Sequence, residues 1–454
     1  MKTLETDILL VGAGLAGRTA AEEVRNADSG LRVMLFDAGG AASTEIMGFS
    51  APVHPDDSPE LFLRDILNAG GGRSDPRLAR LLAERALPEL HHLEALGLRF
   101  DRTPEGAYDT VNAIGSSFPR VVHSGSSTGR QAMRLLSAET EHERIVRLFR
   151  KEGVLCGACT SGGRRISAKA VILAGGGFAG LWKFHTWSRM LRGDSLILAS
   201  EAGAELTGLG CVQFEPAVTV HPEKIAGFPV ITTVLHEGAV LRNRFGRPLL
   251  SPEEPVPGKR ELAERILREI RAGNALPHGG IQYDFSSVDE AAFARKYPDY
   301  SAKFHRIEPD FRHLAFEVKP GAHTTLGGIR INEWCETAVP GLFASGEAVG
   351  GIHGLDRIGG NAGLEVFVFG RIAGRSAAEY AAKTKRLPLP DVSDLPEPTP
   401  EAIFREIASV LDACFDPLSD ADMLRRGIAH LKTLPPFPHV RLAIAAMDDA
   451  LSHR

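Results

Sequence analysis

The chain has 454 residues, 43% hydrophobic and 24% charged, with 52 basic against 57 acidic side chains and a net charge of −5. That is the composition of a soluble globular protein, long enough for roughly three domains of ordinary size. It offers no basic field for nucleic acid or an anionic membrane, and no apolar run approaches the ~20 residues a bilayer-spanning helix needs.

The chain opens "MKTLETDILLVGAG". Acidic Glu5 and Asp7 interrupt the basic start, and the apolar run leads into a glycine turn instead of a cleavage site. This is not the pattern of a signal peptide, and the expected location is cytoplasmic. "TDILLVGAGLAGRTAAEEVRN" reads as a buried strand, a glycine turn and a helix, and "LRVMLFDAGG" supplies a second strand. The absence of alternation in the first strand fits a parallel sheet covered on both faces. Gly12, Gly14 and Gly17 match G-x-G-x-x-G, and Asp37 ends the second strand about 20 residues later. The glycines let backbone approach a pyrophosphate at a helix N-terminus, and the acid accepts hydrogen bonds from a ribose hydroxyl. The spacing predicts dinucleotide binding without deciding between FAD and NAD.

Further along, "GVLCGACTSGG" reads as a strand entering a turn. Cys156 and Cys159 have the redox or metal spacing, but on a strand, side chains three apart point to opposite faces. With five cysteines and no second pair, they are expected to be structural, and no metal site is expected. "AKAVILAGGGFAG" (168–180) is another buried strand ending in glycines, and "GDSLILASEAGAEL" (193–206) is a short helix. From about 210 to 320 the texture changes to prolines, charged helical stretches such as "KRELAERILREIRAG", and "IQYDFSSVDE", which suggests an inserted domain. "TAVPGLFASGEAVGG" (337–351) contains a strand that ends at Gly346-Glu347. "HGLDRIGGNAGLEVFVFG" then sets Arg357 between glycine-rich bends before a buried helix. An arginine there either waits for an anionic ligand or is satisfied by an internal carboxylate such as Asp356. A proline-rich linker (385–402) and two helical patterns, "EAIFREIASVLDACF" and "VRLAIAAMDDALSH", close the chain.

Taken in order, "VGAGLAG", "AKAVILAGGG", "GDSLILASEAGAEL", "AHTTLGGIRIN" and "AVPGLFASGEAVGGIHGLDRIGGNAGLEVFVFGRIAG" resemble the fumarate reductase/succinate dehydrogenase flavoprotein family, whose members include aspartate oxidase. The resemblance covers most of the chain. It implies an α/β fold: a Rossmann-type FAD-binding domain (1–209 and 321–385), an inserted α+β capping domain (210–320), and a linker with a short helical C-terminus (386–454). By the same resemblance, FAD would contact Gly12, Gly14, Ala16, Gly17, Asp37, Ala38, Ser43, Gly176, Gly177, Asp194, Glu347, Asn361, Ala362 and Leu364. The helix opening near Ala362 would aim its N-terminal dipole at the flavin. Where many relatives attach FAD through a histidine, this chain has Thr44, so non-covalent FAD is expected. Arg357 and His323, with Thr324, would grip one carboxylate of the substrate, a task suited to a guanidinium fork.

Three departures qualify the resemblance. The family's H-P-T run, which holds a second carboxylate, is replaced by "QFEPAVTV". Glu215 would repel that carboxylate and attract an ammonium or amide, unless a shifted chain lets His221 or Thr219 substitute. The run A-x-R-G-E-G-A, with its proton-delivering arginine, becomes "TTVLHEGAVL". Glu237, Gly238 and Ala239 align, and His236 is either the acid–base group assisted by Glu237 or a surface residue. Finally, the stretch before "GVLCGACTSGG" is short, so "ERIVRLF" must serve as the remaining strand of a smaller, more exposed sheet, which a partner could cover. The expected activity is FAD-dependent hydride transfer at a small carboxylic acid. The alternatives are amino-acid oxidation of the aspartate oxidase type and a catalytically degenerate member of an electron-transfer complex. With too few suitably spaced cysteines for its own cluster, the chain would need an iron–sulfur or other partner for electrons from a respiratory chain.

Overall fold

The computed structural model describes residues 3–28, 30–313, 316–392 and 394–453. At its centre is a four-stranded parallel sheet in the order Leu342–Ala344, Ala170–Leu173, Ile8–Val11, Val33–Phe36. Ile8, Leu9, Leu10 and all four residues of Ala170–Leu173 are fully buried. Helices cover the sheet, with Leu15–Ala27 packed along the 23-residue helix Asn361–Lys383. The contact is close because Gly370 and Gly374 approach the backbone of Ala16 and Ala20.

A second sheet joins Leu4–Glu5 to three antiparallel strands, Arg165–Ser167, Val154–Thr160 and Ile145–Lys151. The compressed segment therefore does supply its strand from "ERIVRLF". Its flank is not left open, however. Leu387 and Leu389 of the proline-rich segment pack on Phe149, Cys156 and Cys159, and Arg147 donates to the Asp394 carbonyl at 2.6 Å. The two cysteines also share this one apolar cluster instead of facing opposite ways. Leu155 and Gly157 pair with consecutive residues of the neighbouring strand, so Cys156 is the extra residue of a bulge that resets the alternation. All five cysteines are free thiols.

The third large sheet is antiparallel, in the order Val212–His221, Phe316–Thr325, Ile281–Asp284, Val240–Arg242. Around it lies a separate apolar core drawn from residues 217–318, with Phe285, Phe293, Phe304, Phe311 and Phe316 edge-to-face or tilted against one another. Such pairs add about 0.5–1.5 kcal/mol each beyond area burial. Val212–His221 and Phe316–Thr325 are the strands that enter and leave this unit, and Phe214 and Ala322 belong to the core of the parallel sheet instead. Prolines shape their pairing: beside Pro216 and Pro320, neither of which can donate, the register shifts between Glu215↔Gly321 and Val218↔Lys319.

The C-terminus forms three helices, Glu401–Cys414, Ala421–Leu431 and Pro438–Leu451, one more than the two patterns in the sequence. They are not an appendage. Leu411, Leu424, Leu442 and Met447 join the main core, and Trp182 donates its indole N–H to the Phe415 carbonyl at 3.0 Å.

Candidate functional site

Two neighbouring groups of residues emerge, one shaped for a cofactor and one for a small anion. In the first, Gly12 has φ +107°, and a Cβ there would sit 2.3 Å from the Ala174 carbonyl oxygen; one at Gly17 would lie 1.9 Å from the Gly12 oxygen. Only glycine lets the helix and the third strand close on this turn. Asp37 is fixed by the N–H groups of Ala13 (3.2 Å) and Gly39 (3.1 Å), and Ser43 Oγ accepts from Leu15 N at 2.8 Å. Ala16 is buried beside Gly346, while Ala38 is exposed next to Asp37.

On the other side of the parallel sheet, Gly176 takes φ +77°, and a Cβ on Gly177 would strike Thr325 Oγ1 and Glu347 Oε1. Glu347 Oε1 accepts from Thr325 N (3.0 Å) and Oγ1 (3.2 Å); burial and the nearby Glu365 carboxylate push its pKa up to about 7. Asn361, 1% exposed, opens the long helix, and both polar atoms of its amide lack a hydrogen-bond partner. No side chain caps that N-terminus. A buried orphan amide at an uncapped helix start is a place for a polar ligand. Ala362 lies on this first turn, while Leu364 is fully buried and its N–H already donates to Gly360 O. Asp194 is held by Arg144 and by His439 Nε2 (3.2 Å), so its carboxylate arrives already paired. Thr44 Oγ1 donates to Glu45 in an exposed turn.

The second group sits where the two linking strands meet the 353–361 loop. Arg357 is 8% exposed. Its Nη2 donates to Gln213 Oε1 at 2.9 Å and its Nη1 to the Ile358 carbonyl at 3.2 Å, while Nε is buried without a partner. Asp356 does not clamp the guanidinium: its carboxylate accepts from Arg357 N and from Gln213 Nε2 instead. Among the described residues the guanidinium has no ion pair, and its burial lowers its pKa against the pull of Asp356, Glu347, Glu365 and Glu215. Behind the loop, His353 Nε2 meets Glu365 at 2.9 Å.

His323 stands at a second bulge, where the register jumps from Gln213↔Thr324 to Phe214↔Ala322. A bulged residue is re-aimed out of the regular ladder, which is how His323 reaches this group. Its Nδ1 bonds Thr186 Oγ1 at 2.8 Å, its ring lies 4.8 Å from that of Trp187, and burial together with Lys259 and Arg357 holds its pKa well below 6.5. It is a neutral imidazole. Thr324 is buried opposite Gln213.

Glu215, 4% exposed, is not the free carboxylate that the sequence implies. Lys259, at the start of the helix Lys259–Arg271, donates to its Oε2 at 2.5 Å, and its Oε1 is buried without a partner. His221 does not stand in for it, being stacked 4.0 Å from His278 at the far end of the strand; Thr219 Oγ1 is buried without a partner. His236 is exposed on the turn Thr232–Glu237 and shares no hydrogen bond with Arg357, His323 or Glu215; Glu237 is half-buried beside it. Four residues here escape the sequence reading: Gln213, Thr186, Trp187 and Lys259. Lys259 alone left a trace, because two cations at a helix N-terminus oppose its dipole and call for an acidic partner. Trp187 also carries a buried, unpartnered indole N–H.

A buried cation without an acid, a neutral histidine, and a glycine cradle ending at an orphan amide define a flavin-dependent oxidoreductase of carboxylic acids. The FAD binding domain model matches residues 7–362. The flavoprotein-like chain of fumarate reductase (CoM/CoB) from Methanothermobacter marburgensis is 33% identical over 84% of this chain and 74% of its own length. L-aspartate oxidase from Caulobacter vibrioides is 31% identical over 95% and 87%. The structure of Mycobacterium smegmatis Sdh1 in complex with UQ1 superposes with a TM-score of 0.82 at 28% identity, covering 99% of this chain and 86% of that one. The chain belongs to the FAD-binding fumarate reductase/succinate dehydrogenase flavoprotein family and is an FAD-dependent oxidoreductase. No helix among the described residues is long and apolar enough to cross a membrane.

Proposed function

We propose that the enzyme catalyses hydride transfer at a carbon next to a carboxylate that Arg357 and His323 hold. The supporting observation is the buried Arg357 guanidinium, which has no acidic partner and one nitrogen without any partner at all. Leaving such a cation unpaired is costly, and a ligand carboxylate relieves the cost. Bound FAD, held non-covalently by the Gly12–Gly17 turn, Asp37, Glu347 and Asn361, supplies the hydride acceptor or donor. Gln213 fixes the guanidinium plane. Thr186 donating to His323 Nδ1 leaves His323 Nε2–H as a donor to the same carboxylate. Residues 210–320 act as the cap that excludes water.

The proton that accompanies the hydride is carried by Lys259 Nζ, placed inside the site against Glu215 Oε2, and not by exposed His236. Lys259 also bears on the amino-acid oxidase alternative. Glu215 already holds an ammonium, so CH–CH chemistry is favoured over oxidation of an amine. Electrons reach the flavin through a partner polypeptide, a reading supported by the Methanothermobacter relative, which is named as one subunit of its fumarate reductase. Five free thiols fit a reducing cytoplasm. Anaerobic mixing tests the reading. Dithionite-reduced holoenzyme should be reoxidised by an α,β-unsaturated acid, and oxidised holoenzyme should not be bleached by amino acids. Bleaching by an amino acid without reoxidation by any unsaturated acid refutes it.

A further inference from the structure

The Glu215–Lys259 pair carries information about the substrate's far end. Glu215 is buried on the strand that also bears Gln213, and its charge is felt by Arg357; Lys259 in turn acts on His323. The pair therefore belongs to the same group as the carboxylate-holding residues. Its net charge is zero, and what remains unsatisfied is an acceptor, Glu215 Oε1. A buried acceptor without a donor is costly, so the far end of a well-fitting substrate supplies an N–H or O–H.

Charge decides which kind of donor. A second carboxylate would set oxygen against oxygen at Oε1, and the charge of the one cation there is already engaged by Glu215. An ammonium would meet Lys259 occupying the place it would need, with Arg357 also in range. A neutral donor satisfies Oε1 at no electrostatic cost. We propose that the Glu215–Lys259 pair selects substrates that carry one carboxylate and, at the opposite end, a neutral hydrogen-bond donor such as a primary amide or hydroxyl. This rests on the reading that Arg357 and His323 hold the first carboxylate.

The test compares three ligands of similar length on FAD-loaded enzyme near neutral pH: succinate, succinamate and 4-aminobutanoate. Binding is read from the perturbation of the oxidised-flavin spectrum. Wild type should bind succinamate tighter than either of the others by about tenfold or more. Lys259→Met uncovers the Glu215 charge and should turn the preference toward 4-aminobutanoate. Glu215→Gln frees the Lys259 charge and should turn it toward succinate. Because the two variants move the order in opposite directions, a folding defect in one does not protect the proposal from the other. Wild type that binds succinate or 4-aminobutanoate as tightly as succinamate overturns it, as does an order unchanged in a folded variant. If ligands bind in the wrong order, the selector alone is lost; if none of the three perturbs the flavin, the carboxylate site falls with it.

Discussion

Replacing Arg357 by methionine separates a ligand-binding cation from a structural clamp, because the two predict opposite losses. Nε and the remaining capacity of the Nη groups can give a carboxylate two charge-assisted hydrogen bonds. At about 1.5–3 kcal/mol each, their loss costs about 3–6 kcal/mol, or roughly 10²–10⁴-fold in kcat/KM. Stability should respond differently. Breaking a buried ion pair costs about 3–5 kcal/mol, but Arg357 has no acid to leave behind. Its removal orphans Gln213 Oε1, at about 1–3 kcal/mol, and removes a buried unpaired charge, which offsets that loss. Urea unfolding of FAD-loaded enzyme should therefore place Arg357→Met within about 1 kcal/mol of wild type, an ordinary surface-scale change. A variant several kcal/mol less stable with carboxylate binding intact would refute the reasoning and make Arg357 a clamp.

Asn361→Leu should weaken FAD about 10–100-fold, the worth of one or two hydrogen bonds, while FAD-free protein unfolds no earlier because an orphan amide has been removed; flavin fluorescence titration and thermal melts check both. Steady-state assays should find His236→Ala near wild type and Lys259→Met about 10²–10⁴-fold lower in kcat; the reverse order would return the proton to His236. Glu347, about 7 when folded against 4.5 as a model carboxyl, binds a proton in the native state over a window where the unfolded chain has released it. FAD-free protein should therefore lose stability as pH rises from 4.5 to about 7, and Glu347→Gln should lack that slope in urea titrations. A slope that survives the substitution assigns it to another group.

What the sequence made legible was local. The strand–turn–helix at Gly12, Gly14 and Gly17 needs only neighbours in the chain, and the strand at 168–180 announces itself by an unbroken apolar run. The parts that escaped depend on long-range register. His323 is in the site because a bulge offsets Thr324 and Ala322 against Gln213 and Phe214, and a single sequence carries no mark of a bulge. The same holds for Cys156, whose bulge turned two cysteines to one face. Glu215 was read as a free acid because its partner lies 44 residues away on a helix of the inserted unit, and an ion pair across that distance leaves no local pattern. The tail looked like an appendage because its helices bury their apolar faces on Trp182 and Phe214, which the order of the chain does not place beside it.

The central claim is that a substrate carboxylate gripped by Arg357 is what brings a carbon to the flavin. The direct test is anaerobic stopped-flow reoxidation of the reduced holoenzyme by an α,β-unsaturated monocarboxylic acid that carries a terminal amide, run beside its methyl ester. The two share the same alkene and differ in the one charge Arg357 is there to receive. The acid should restore the oxidised-flavin absorbance at least about 100-fold faster than the ester. Equal rates would mean that no carboxylate is recognised, and the account would be wrong at its centre.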